Sequence, residues 1–74
     1  MIMSRQYSQK NKELLEKLRS ARLEAGLTQI QASKKLKKPQ SYLSKIERGE
    51  RKIEAIELGN FAKIYDKDIK YFIK

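Results

Sequence analysis

The sequence predicts an all-α fold, a compact bundle of five short helices. Apolar residues recur at helical spacing along most of the chain. Strand signals are absent: there is no alternating β-branched run and no Asn-Gly hairpin. Lys and Glu dominate the polar positions, and both are good helix formers. With 74 residues the chain makes one domain. A chain of this size buries only about 60 % of the surface it exposes when unfolded, so its core is small and a partner subunit would help it.

The first ten residues are polar and without period, which predicts a flexible arm over 1–10 and a folded domain over 11–74. Helix 1 is expected to begin near Asn11, a good N-cap. Leu14, Leu18, Ala21 and Ala25 then fall on one helical face, and Gly26 ends the helix as a left-handed cap. Helix 2 has the clearest start: Thr28 is the N-cap and Gln31, three residues on, completes a capping box. Leu27 is placed to staple the entry against Ala32. The helix runs to about Leu36, and Lys37 and Lys38 form a turn.

Helix 3 is expected to start with Pro39 at its first position, where a missing N–H costs nothing. Leu43 and Ile46 face inward, Gln40, Ser41, Ser44 and Lys45 share a polar face, and Gly49 closes the helix. After a charged loop, Glu50 to Lys52, helix 4 spans roughly Glu54 to Tyr65, with Leu58, Phe61, Ala62 and Tyr65 on its inner face. Asp66 and Lys67 turn the chain. Asp68 caps a short last helix carrying Ile69 and Phe72.

Eighteen Lys and Arg against nine Asp and Glu give a net charge of +9. That excess favours a polyanionic partner, nucleic acid or an anionic membrane surface. No stretch approaches the length of a membrane span, and no helix offers an apolar face free of core duty, which argues against the membrane. Met1 to Ser8 holds one arginine and no apolar run, unlike a signal peptide. Cysteine and histidine are both absent, so there is no disulfide, no thiolate metal site and no imidazole base. No catalytic constellation, cofactor site, metal site or small-molecule pocket is evident, and an enzyme is not expected.

Two short helices joined by a tight turn, Thr28–Leu36 and Pro39–Arg48, form a helix-turn-helix. In such a motif the second helix lies in the major groove and offers its N-terminal half to base edges. The matching residues read L-R-x-x-R (Leu18, Arg19, Arg22), G-L-T-Q (Gly26 to Gln29) and P-Q-S-Y-L-S-K-I-E-R-G (Pro39 to Gly49). On these, Leu18 to Tyr65 resembles the Cro/phage-repressor family of helix-turn-helix domains, also called the Xre family, over about two thirds of the chain. Ala32-Ser33 stands where that family usually has Leu-Ala, and Lys37 stands where the turn usually has glycine.

The resemblance implies a λ-repressor-like five-helix domain that binds double-stranded operator DNA. It implies that Gln40, Ser41 and Lys45 contact bases. The chemistry fits, since Gln pairs bidentately with adenine, Lys donates to guanine and Ser serves either. Gln29 is implied as a phosphate contact, assisted by its helix N-terminus. Arg48, Arg51 and Lys52 are implied to grip phosphate in the following loop, with Ser44 beside them. Tyr42 has two readings, a hydroxyl on phosphate or partial burial. Arg22 and Glu47 are implied as a structural ion pair between helix 1 and the end of helix 3.

Lys34, Lys35, Lys37 and Lys38 either touch the DNA backbone or supply long-range attraction. Arg5 and Lys10 either reach a groove or stay disordered. Tyr71, Phe72 and Ile73 form an unusually apolar end, which either closes the domain or meets a second copy; homodimers are common in the family. The function expected is a cytoplasmic transcriptional regulator, a repressor. The alternative is an antitoxin or protein-interaction module on the same scaffold.

Overall fold

A computed structural model describes residues 9–73 of the chain, with side chains from residue 11. The described residues form five helices: α1 (Gln9–Glu24), α2 (Gln29–Leu36), α3 (Gln40–Glu47), α4 (Ala55–Ile64) and α5 (Lys70–Ile73). Helix α1 starts before the expected cap, so Asn11 lies inside it. Gln and Lys are good helix formers and asparagine is a poor one, but the cost of one Asn is a few tenths of a kcal/mol, which the rest of α1 outweighs. Of the arm expected over 1–10, residues 1–8, Arg5 among them, lie outside the described residues, and Gln9 and Lys10 are helical.

Helices α1 to α4 end in the same way. At the close of α1, Gly26 N–H donates to Leu23 C=O and Leu27 N–H to Arg22 C=O, each within 3.1 Å. This is the Schellman arrangement, which needs one left-handed residue. The same pair of bonds closes α2 around Lys37, α3 around Gly49 and α4 around Asp66. Glycine serves twice, with φ of 74° at Gly26 and 77° at Gly49; Lys37 (φ 62°) and Asp66 (φ 59°) adopt the same conformation with a Cβ. Ala25 belongs to the first of these turns and is exposed, so it does not continue the inner face of α1 as its spacing suggested.

The N-termini are also specified locally. Thr28 Oγ1 accepts from Gln31 N–H at 3.1 Å, and Gln31 Oε1 accepts from Thr28 N–H at 2.9 Å, the expected capping box. Pro39 occupies the N-cap of α3 rather than its first turn, with φ −70° and ψ 157°. Its ring fixes φ alone, and that φ suits an extended residue as well as a helical one; the tight turn from Lys37 sets ψ. Asp68 caps α5 through a 2.9 Å bond from Lys70 N–H.

The core is built from Leu18 and Ala21 of α1, Ala32 of α2, Leu43 and Ile46 of α3, Leu58, Phe61 and Ala62 of α4, Tyr65 just beyond it, and Phe72 of α5. The inner faces expected of α3 and α4 are the ones buried, but in the last helix only Phe72 is: Ile69, expected beside it, precedes α5 and is 37 % exposed. Two buried polar atoms, Ser33 Oγ and Tyr65 OH, have no hydrogen-bond partner among the described residues. Ser33 sits at the position where the sequence departs from the family's usual alanine.

Candidate nucleic-acid interface

The site begins with α3. Leu43 and Ile46 are fully buried and fix the helix's rotation. Gln40, Ser41 and Lys45 are consequently exposed, and Ser44 is half-buried. The three residues expected to meet bases thus share the outward side of one short helix anchored by two apolar residues.

Behind them runs a chain of polar contacts. Gln40 Nε2 donates to Gln29 Oε1 at 3.3 Å. Gln29 Nε2 donates to Glu47 Oε1 at 3.0 Å. Glu47 in turn accepts from Arg22, from Nε at 2.8 Å and Nη2 at 3.1 Å. Arg22 Nη1 donates to Leu27 C=O at 3.0 Å. The side chains of Arg22 and Glu47 are only 10 % and 6 % exposed. Their fork-to-fork geometry is the strong form of an ion pair, and the Glu47 hydrogen bond holds the Arg22 guanidinium above arginine's usual pKa. The expected structural pair is present, and it leads outward through Gln29 to Gln40. Gln29 was expected to meet phosphate; here its side-chain amide ties the two helices of the motif together.

The remaining phosphate candidates lie on the α3–α4 side. Arg48 forms a two-pronged bond to Glu50, at 2.9 and 3.1 Å, and also donates to Ser44 Oγ. Arg51 Nη1 lies 3.0 Å from Glu57 Oε2, and its guanidinium carbon sits 4.8 Å from the Tyr42 ring centroid. Lys52 is exposed. Tyr42 is half-buried, stacked on Phe61 with centroids 6.3 Å apart, and its hydroxyl donates to Glu57 Oε2 at 3.1 Å. Burial first, then the Glu57 contact, pushes its phenol up to about 12. Of the two readings of Tyr42, partial burial describes this conformation. Lys38 Nζ lies 5.2 Å from the centroid of the same Tyr42 ring.

Glu50 and Glu57 are the two members of this surface that the sequence reading did not single out. For Glu57 a signal existed: it stands three residues after Glu54, the spacing of a capping pair, and Glu54 N–H donates to it at 2.9 Å.

Residues 18–72 match a helix-turn-helix family profile. The chain belongs to the Xre-type helix-turn-helix family. A solved structure from Pseudomonas syringae pv. tomato, an Xre-family-like protein, is similar to it at 34 % identity with a TM-score of 0.81. The likeness covers 86 % of this chain and 78 % of that one. No curated protein matches the chain. Xre-type domains have a DNA-binding, transcription-regulator-type fold, and the helical architecture found here agrees. No helix among the described residues is long and apolar enough to cross a membrane.

Proposed function

We propose that this protein is a cytoplasmic transcriptional repressor that binds operator DNA sequence-specifically as a homodimer, with α3 in the major groove. The observation that carries this reading is the outward display of Gln40, Ser41 and Lys45 on a helix fixed by two fully buried residues. Base reading demands such rigidity, because a bidentate amide–adenine pair tolerates little displacement. Ser44, Arg48, Arg51 and Lys52 lie on or beside α3 and supply the phosphate contacts, while Gln29 and Tyr42 brace the groups that make them. The net charge of +9 supports the electrostatic share of binding.

Dimerisation is supported by isoleucines left outside the core. Ile56 is 74 % and Ile73 62 % exposed. Two copies would set two α3 helices on half-sites about 34–36 Å apart. Ile73→Lys is expected to weaken concentration-dependent self-association in sedimentation; a strict monomer, both free and on DNA, would rule the dimer out.

The test of base reading is site selection from random duplexes. Gln40→Ala should lose about 1–3 kcal/mol of discrimination at one base position per half-site, with the salt slope unchanged because no charge is lost. An identical consensus for wild type and Gln40→Ala would defeat the assignment.

A further inference from the structure

Three donors converge on the carboxylate of Glu57. Glu54 N–H reaches it at 2.9 Å, the Tyr42 hydroxyl at 3.1 Å and Arg51 Nη1 at 3.0 Å. The first bond fixes the carboxylate to the N-terminus of its own helix. Only 13 % of the Glu57 side chain is exposed. An arginine paired with a mobile surface carboxylate gains little order, but this one is paired with an anchored carboxylate.

The guanidinium is confined on a second side. It lies over the Tyr42 ring, and that ring is stacked on the fully buried Phe61. Arg51 Nη1 also donates to Lys52 C=O at 3.1 Å. Neither Nε nor Nη2 has a hydrogen-bond partner among the described residues, and the side chain remains 41 % exposed. One edge of the fork is committed to the protein and the other is presented outward. Tyr42 belongs to α3, so the arginine is held against the same helix that carries Gln40 and Lys45. The neighbouring Arg48 differs: its partner Glu50 is 54 % exposed, as is Arg48 itself.

We propose that Glu57 is a positioning residue for DNA binding: it holds Arg51 against Tyr42 so that the free edge of the guanidinium meets a backbone phosphate without further ordering. The inference rests on the DNA-binding reading above. Phosphate contacts set register rather than sequence, so the clamp fixes how α3 enters the groove. An arginine held in advance spares the ordering that a long side chain otherwise undergoes on binding.

The sign of one substitution separates positioning from plain electrostatics. Glu57→Gln removes one negative charge and raises the net charge by one from +9. Electrostatics alone makes that variant bind DNA more tightly. Positioning makes it bind more weakly, by about two- to tenfold per copy, the cost of ordering one side chain. Duplex affinities of wild type, Glu57→Gln, Arg51→Ala and the double variant would be measured across a salt series, with folding checked by circular dichroism. Arg51→Ala should lower the salt slope by about one per copy, and adding Glu57→Gln to it should weaken binding no further. Unchanged or tighter binding by Glu57→Gln overturns the proposal. Should that variant not fold, relaxation of the Arg51 Nε–H signal in the wild-type protein decides: order like the backbone supports the clamp, and free tumbling overturns it. Duplex binding without sequence preference would sink operator recognition alone, since the clamp is read on any duplex; no duplex binding by wild type at low salt would sink both.

Discussion

Glu47→Ala should be among the most damaging single substitutions on the polar surface of this domain. It removes the acceptor of two Arg22 bonds, at 2.8 and 3.1 Å, and of the Gln29 amide. Arg22 would keep only the Leu27 carbonyl, at 3.0 Å, with its side chain 10 % exposed. Breaking a buried ion pair from one side costs about 3–5 kcal/mol, because a charge is stranded. The pair here is shallow, since an open cleft lined by Arg19, Gln29, Ser44 and Arg48 reaches both groups. Water can enter it, so the lower figure applies, about 3 kcal/mol. In a domain of this size each kcal/mol moves Tm by about 4–8 °C, so the expected fall is about 12–24 °C. Thermal unfolding followed by far-UV circular dichroism measures it directly. The companion Arg22→Met/Glu47→Leu should recover most of the loss, because replacing both charges strands neither. A fall of less than about 4 °C for Glu47→Ala, equivalent to under 1 kcal/mol, would refute the reasoning. It would mean that the two charges are independent surface groups.

Three further outcomes are expected. Lys37→Gly should stabilise the protein by about 0.5–1 kcal/mol, since Lys37 holds φ 62° with a Cβ; a lower Tm would show that the turn carries no left-handed penalty. Ser33→Ala should be neutral or stabilising, because the buried Ser33 hydroxyl has no partner and such groups cost about 1–3 kcal/mol; a clear loss of stability in denaturant titration would indicate a partner. Stability should be nearly flat across neutral pH, with no histidine to titrate. It should fall in acid partly through Glu57, whose pKa the Arg51 contact holds below the ordinary 4.5. A depressed folded pKa contributes stability above 4.5, and that contribution is lost as pH falls through the lower folded value. Glu57→Gln should therefore show a shallower acid limb, and an identical limb would exclude Glu57 from it.

Local rules accounted for much of the fold. The Thr28–Gln31 box, the inward Leu43 and Ile46, and the four-residue inner face of α4 and its C-cap are each set by residues within one or two turns, so spacing reveals them. Boundaries decided by small energies were less legible. Asn11 is a good cap in a position where extending α1 costs very little, and Pro39 fits two adjacent positions because its ring constrains φ and not ψ. Ala25 has core spacing but lies in the turn that Gly26 makes. At the surface, exposure of the α3 residues followed from the buried pair on its other side. Pairings across the chain did not. The Gln29–Gln40 bond and the Tyr42–Glu57–Arg51 cluster join segments whose approach depends on how the helices pack, and no periodicity in the sequence encodes that. The Arg22–Glu47 pair was legible only through the family resemblance, not through spacing.

That same pair bridges residues 25 apart in sequence, and it bears on modularity. The two helices that resemble a self-contained reading head are tied to each other through Gln29 and braced by a third, α1, whose Arg22 fixes Glu47. A peptide of the motif alone would carry Gln40 and Lys45 but not the strut that aims them. Transplanting these specificity residues into another scaffold would therefore succeed only where the recipient supplies an equivalent arginine from outside the motif. Selection acting on base preference would likewise be felt well beyond the groove-facing helix.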